Sequence, residues 1–407
     1  MIQNYIHRSL ETCLARAISE FPAVVLTGPR QSGKTTLLQT LFGRQCHYVS
    51  LELPDVRTAA TEDPRGFLGM YPPPVIFDEI QSAPALLPYI KEHIDAHRER
   101  AGQYILTGSQ NLLLSEKITE SLAGRAAMLR LLPLSFREAE GHPQAGLPWD
   151  SQGPYRTGSG ASDNDLWPKF LRGCYPELVA NPGRDIHLWH AGYVQTYLER
   201  DVRSLRQVGD LSQFQLFLRA LAARTAQLLS LTDLARDLGV ALNTVKAWLS
   251  VLEATYQVIV LRPYFANVGK RLVKTPKVYF SDVGTLCYLT GLQDPAHAAA
   301  GPMGGAIMET AVLSEIFKTL THSGIEPSIY FWRTSAGLEV DIVVESQGRL
   351  IPVEVKLSAT PRPAMAAAIK SFQKDFGSQA APGYVVHPGK TKLPLGSKVT
   401  ALPFLEL

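Results

Sequence analysis

With 407 residues, 45% hydrophobic and 19% charged, the chain can form two or three domains with sizeable cores and lacks the composition of a disordered protein. Its 40 Lys and Arg nearly balance 37 Asp and Glu, so the net charge of +3 offers no global argument for nucleic acid, and any such contact must come from local patches. Four separated cysteines (Cys13, Cys46, Cys174, Cys287) without a C-x-x-C pair exclude a cysteine-type zinc site, and no apolar run approaches the ~18 residues of a membrane span. The opening Met1-Ile2-Gln3-Asn4-Tyr5 does not read as a signal peptide, so a cytoplasmic protein with no membrane partner is expected.

A helix around Ser9–Glu20 precedes the apolar, β-branched run Ala23–Thr27, which reads as a buried strand. Gly28-Pro29-Arg30-Gln31-Ser32-Gly33-Lys34-Thr35 follows, and Thr36–Leu41 reads as a helix. The eight residues match G-x-x-x-x-G-K-[ST] at every fixed position, in the strand–loop–helix context that a phosphate-binding loop requires. Backbone N–H groups from Gly28 to Thr36 would surround the phosphates of ATP, helped by the positive end of the helix. Lys34 would neutralise the β- and γ-phosphates, and Thr35 would place its hydroxyl on Mg²⁺.

A strand at His47–Leu51 leads to Pro74–Gln81, where three apolar residues run into Asp78 and Glu79. A buried strand ending in two acids opens into the ligand crevice of a parallel sheet. Asp78 would hold Mg²⁺, and Glu79 would orient and polarise the attacking water. His93 and His97 fall in the charged stretch Lys91–Arg100 and read as a solvated helix face, because no H-E-x-x-H glutamate accompanies them. Gln103–Gln110 is another buried strand with a polar end, whose Ser109 can donate to the γ-phosphate or the water. The alternation of strands and helices implies an α/β fold with a parallel sheet covered on both faces.

This order of loop, acidic strand and polar strand resembles the AAA-type ATPases. Leu122-Ala123-Gly124-Arg125, followed by Leu132-Pro133-Leu134-Ser135-Phe136-Arg137-Glu138, is similar to a bacterial and archaeal family of that superfamily. In that family the P-loop module is joined to a C-terminal nuclease-like domain. The resemblance implies a charge-stabilising arginine acting on a neighbouring subunit's nucleotide, and hence a homo-oligomer. Arg125 is the candidate, an ion pair being the alternative, and Arg200 and Arg203 compete for the role.

Residues 1–140 are thus expected to form the ATPase core. The Gly-, Pro- and Ser-rich residues 141–166 read as a linker and 167–210 as a helical lid, with His187 and His190 packing around Trp189. Residues 211–277 carry two short helices, Leu231–Leu238 and Ala241–Glu253, around a Gly239-Val240 turn, the helix-turn-helix signature. Leu234, Leu238, Val245 and Leu249 are spaced for one core, and the strand Tyr256–Arg262 would begin the wing of a winged helix. Asn243, Thr244 and Lys246 would face DNA, and the basic run Gly269–Lys277, with Lys270, Arg271 and Lys274, would contact phosphates. An interaction platform and a solvated hairpin are the alternatives.

Residues 278–407 pair a helix carrying Glu309 with strands carrying Asp341, then Glu354 and Lys356. Residues i and i+2 of a strand share a face, so Glu354 and Lys356 share a site that a neighbouring strand completes with Asp341. This pattern resembles the restriction-endonuclease-like fold. The resemblance implies a divalent cation on Asp341 and Glu354, charge stabilisation by Lys356, and support from Glu309. The expectation is a Mg²⁺-dependent ATPase acting on DNA through a C-terminal domain that cuts or only binds. A nucleotide-dependent switch that holds protein partners is the alternative.

Overall fold

The computed structural model describes residues 5–108, 121–150, 166–198, 211–264, 275–334 and 337–407. Strands β1 (Ala23–Thr27), β2 (His47–Ser50), β3 (Val75–Asp78), β4 (Tyr104–Gly108) and β5 (Ala126–Arg130) form a wholly parallel sheet in the order β2-β3-β4-β1-β5. Alternate residues of β1 go to different cores, as a sheet covered on both faces demands. Val24 and Leu26 pack with Leu10, Leu14, Leu37 and Leu38 of the helices Leu10–Glu20 and Lys34–Phe42. Ala23 and Val25 pack with Leu86, Ile90 and Ile94 of the helix Leu86–Ala96 on the other face.

The helices Leu231–Leu238 and Leu242–Ala254 sit where the helix-turn-helix pattern put them. The Ser230 hydroxyl caps the first, and Gly239 ends it at φ 66°, a left-handed position suited to glycine. Leu234 and Val245 are fully buried, Leu249 nearly so, while Leu238 is half-buried at the rim. Trp248 packs edge-on against Phe214 and tilted against Phe217 of the helix Leu211–Ala222.

β6 (Val258–Pro263), which covers most of the expected wing strand, does pair antiparallel with β7 (Lys277–Phe280). It also runs parallel to β8 (Ile329–Arg333), so the hairpin extends the C-terminal sheet and the strand order crosses the expected 277/278 boundary. That sheet continues through β9 (Glu339–Ser346), β10 (Arg349–Val355), β11 (Gly383–His387), β12 (Leu393–Pro394) and β13 (Val399–Pro403), in the order β12-β13-β11-β10-β9-β8-β6-β7. Phe372 of the helix Ala367–Phe376 shares one core with Val340 and Leu350. The long helix Gly304–His322 shares the other with Ile342 and Val353.

That second core runs from Leu134 to Leu407 and takes in the middle helices. The N-terminal parallel-sheet module enters it through Phe136 and Arg137. The fully buried Arg137 guanidinium lies 2.9 Å from Glu315 of the long helix and also donates to the Leu407 carbonyl. Glu315 further accepts from the Phe136 and Arg137 amides at 2.6 and 3.2 Å. A buried ion pair needs this many partners to offset its desolvation. Among the described residues, no helix is long and apolar enough to cross a membrane.

Candidate functional site

The loop after β1 has the backbone its glycines were expected to permit. Gly28 sits at φ 151°, and a Cβ there would lie 2.0 Å from the Leu131 carbonyl oxygen, so only glycine fits. Gln31 at φ 62° and Gly33 at φ 93° are both left-handed, which curls the loop into the helix Lys34–Phe42. Lys34 is 6% exposed, and its ammonium donates to the Gly28 and Pro29 carbonyls at 2.9 and 3.0 Å. Arg30 pairs with Glu52 at 3.5 Å.

Asp78, at the end of β3, collects three hydroxyl donors: Thr35 at 3.0 Å, Tyr48 and Thr107. Burial, and then the bond to Asp78, push the Tyr48 phenol up from its ordinary pKa, so it remains a donor. Thr107 in turn accepts from the Glu79 amide at 3.1 Å. Glu79 occupies the left-handed region at φ 59°, and its carboxylate accepts from the Gln81 amide group. A non-glycine residue held in that region is a recurrent feature of functional sites.

Arg30, Gln31, Gly33, Lys34, Thr35, Asp78 and Glu79 line one cleft of about 570 Å³. Its walls include Arg8 and Glu52, and Pro176 and Asn181 lie across it on the segment around the helix Pro176–Ala180. Lys34, Thr35, Thr36, Asp78 and Glu79 are therefore brought together as the motifs implied. Ser109, Arg200 and Arg203 lie outside the described residues. Arg125 falls elsewhere. It precedes β5 beside the start of β1, whereas the phosphate loop leaves the far end of β1. A five-residue strand separates them by about 15 Å. Its guanidinium grips Asp95 with two bonds of 2.7 and 2.9 Å.

A second constellation surrounds Glu309 on the long helix. Lys277 Nζ lies 3.1 Å from Glu309 and also contacts Glu339, and the Tyr279 hydroxyl donates to Glu309. The Val355 amide donates to Asp341 at 2.8 Å, and Lys356 bonds Glu354. Burial, then the neighbouring Asp341 charge, push the Glu309 and Glu354 carboxyls up from their ordinary values. Burial also raises Asp341. Glu354 is 6% exposed, and its Oε2 has no hydrogen-bond partner. The sequence thus brings Glu309, Asp341, Glu354 and Lys356 together, but it hid Lys277. That residue ends the basic run expected to contact phosphates. It is 4% exposed and held by Glu309 and Glu339, so its ammonium is turned into the fold. Among the described residues, no three acidic, histidine or cysteine side chains form a ready metal site.

In the middle region Asn243 and Lys246 are exposed and Thr244 is half-buried. Lys270, Arg271 and Lys274 lie outside the described residues. Tyr48 and Thr107, which donate to Asp78, and Arg8, which lines the cleft, are residues that the motifs did not announce, because each comes from a separate segment with no fixed spacing to the loop.

The parallel sheet, its phosphate loop and the acids at the end of β3 define an AAA-type P-loop ATPase. A family model described as an AAA domain matches residues 20–140, and two described as domains of unknown function, DUF8612 and DUF4143, match residues 163–296 and 304–407. The uncharacterized proteins Rv2008c of Mycobacterium tuberculosis and Mb2031c of Mycobacterium bovis are each 32% identical to the chain over 391 residues, 96% of this chain and 82% of theirs. The chain belongs to the same family as these two proteins, and its residues 20–140 match the AAA domain. The Walker-type ATPase Paby2304 of Pyrococcus abyssi is a similar solved structure, with a TM-score of 0.43 and 16% identity over 71% of this chain and 97% of its own.

Proposed function

We propose that the chain hydrolyses ATP with Mg²⁺ at the cleft and engages DNA through its middle and C-terminal regions. The convergence of Lys34, Thr35, Asp78 and Glu79 on one cleft carries the first part. The loop amides and the Lys34 ammonium hold the β- and γ-phosphates, where positive charge also meets the charge that develops on transfer. The Thr35 hydroxyl and the Asp78 carboxylate are oxygen donors in mutual contact, the chemistry a hard cation selects, and they would hold Mg²⁺. When bound, Mg²⁺ neutralises charge on the phosphate oxygens. Glu79 orients the attacking water, with its backbone pinned by Thr107. Ser109, outside the described residues, would donate to the γ-phosphate or the water. Arg125, at the far end of the sheet, can serve only a neighbouring subunit's nucleotide, so that role requires a homo-oligomer.

DNA contact is supported by the exposed Asn243 and Lys246 near the start of the second helix of the helix-turn-helix pair. Cleavage is supported by the grouping of Asp341, Glu354, Lys356 and Glu309. Asp341 and Glu354 would hold a divalent cation there, and the unpartnered Oε2 of Glu354 is an atom such an ion would satisfy. A second reading, a switch whose C-terminal domain binds protein partners without cutting, is favoured by the way Lys277 and Lys356 already neutralise the cluster.

ATPase rates with and without single- and double-stranded DNA test the DNA reading, which expects stimulation. DNA affinity that is weak at physiological salt and indifferent to ATP favours the switch. Divalent-metal-dependent nicking of plasmid DNA, lost in Asp341→Ala and Lys356→Ala, establishes cleavage. An intact plasmid in both Mg²⁺ and Mn²⁺ removes it.

A further inference from the structure

Arg8 is 3% exposed, lies well before the phosphate loop in sequence, and belongs to none of its motifs. Its Nη1 donates to the Ser32 carbonyl at 2.9 Å and its Nη2 to the Leu132 carbonyl at 2.6 Å. The first bond acts on the loop itself. In a trans peptide the C=O and the following N–H point in opposite directions. Holding the Ser32 carbonyl toward Arg8 therefore aims the Gly33 N–H away from it. That N–H belongs to the set with which a phosphate loop surrounds its ligand. Gly33 sits at φ 93°, where glycine's conformational freedom would otherwise let this peptide plane turn.

Arg8 is itself held by Glu138, which links it to the C-terminal region. Its Nε lies 3.3 Å from Glu138 Oε1, and the same oxygen lies 3.2 Å from His322 Nδ1, at the end of the long helix. Glu138 and His322 are fully buried. The Leu132 amide donates to His322 Nε2 at 3.1 Å, which leaves the ring proton on Nδ1. Glu138 also accepts from the Ser9 and Ser135 amides at 2.7 and 2.8 Å. Burial pushes its carboxyl up, but the Arg8 and His322 contacts hold it well below the usual carboxylate range, so it remains an anion for Arg8 to pair with.

We propose that Arg8 is a positioning residue for ATP binding: it fixes the Ser32–Gly33 peptide of the phosphate cradle, and Glu138 braces it, itself in contact with His322 of the C-terminal domain. This rests on the reading of the cleft as an ATP site. The bond is to the loop and not to the reacting atoms, so it favours the ground and transition states alike and acts on affinity.

The test is calorimetric titration of the full chain with ATP and Mg²⁺, together with steady-state kinetics. Arg8→Lys keeps the charge but loses the planar fork that serves Ser32, Leu132 and Glu138 at once. Its Kd and KM for ATP are expected to rise about tenfold, with kcat at saturating ATP within about twofold of wild type. A merely structural role would lower the melting temperature and leave the Kd of the folded fraction unchanged, and that result overturns the proposal. His322→Gln, which touches no nucleotide, is expected to weaken ATP binding about threefold. It decides the matter alone if Arg8→Lys does not fold, and a wild-type Kd in this variant overturns the brace. A wild-type chain that binds no ATP overturns the ATP site and the proposal together, and is thereby told apart from failure of the brace alone.

Discussion

Asp78 and Glu79 are adjacent in sequence and are held by different means. Asp78 is buried among three hydroxyls, whereas the Glu79 side chain turns away through a left-handed backbone and is kept by Gln81. That division suits one acid for a cation and one for water. Glu79→Gln is therefore expected to bind ATP with near-normal affinity and to lower kcat by about 10²–10⁴-fold, as loss of a general base does. A near-normal turnover number would place the water under another group. The loop and both acids were legible because each lies in a short window of fixed spacing. Tyr48 and Thr107 were not, because they meet Asp78 only once β2, β3 and β4 pair. Lys277 was misread because a run of cations along the chain says nothing about which of them the fold turns inward.

The long helix Gly304–His322 is the element on which the C-terminal half is built. It carries Glu309 in the acid cluster, Glu315 against Arg137, and His322 against Glu138. That a helix here carries Glu309 was visible in the sequence. The partners of Glu315 and His322 were not, since they come from residues about 180 positions earlier. Glu315→Ala leaves the Arg137 guanidinium buried and uncompensated, so a stability loss of about 3–5 kcal/mol is expected in urea titrations. A loss under about 1 kcal/mol would mean that water reaches Arg137. The strand β10 behaves in the opposite sense. Burial, then Asp341, push Glu354 up to about 8, above an ordinary value of about 4.3. The folded state then holds a proton that the unfolded state releases first, so this group costs stability as pH climbs between those two values. The urea midpoint of the wild type is expected to fall from pH 5 to pH 8 by more than that of Glu354→Gln. Equal falls would show that Glu354 ionises freely in the fold.

Across the whole molecule, the family-level division at residue 304 and the structural one differ. β6 and β7 begin at Val258 and Lys277 yet belong to the sheet of the C-terminal domain, and one core joins Leu134 to Leu407. A sequence reading divides the chain where composition and motifs change, whereas pairing between distant strands leaves no local mark. The segment 304–407 made alone would lose β6, β7 and the Arg137 partner of Glu315. It is expected to show no cooperative thermal transition, and a sharp transition would make it an independent domain. The central claim for the full chain is that its phosphate loop grips ATP through backbone amides and one ammonium. Calorimetric titration of the wild type and Lys34→Ala with ATP and Mg²⁺ tests it most directly. Saturable binding by the wild type, absent in a folded Lys34→Ala, is the predicted result; equal affinity in the two, or none in the wild type, would contradict it.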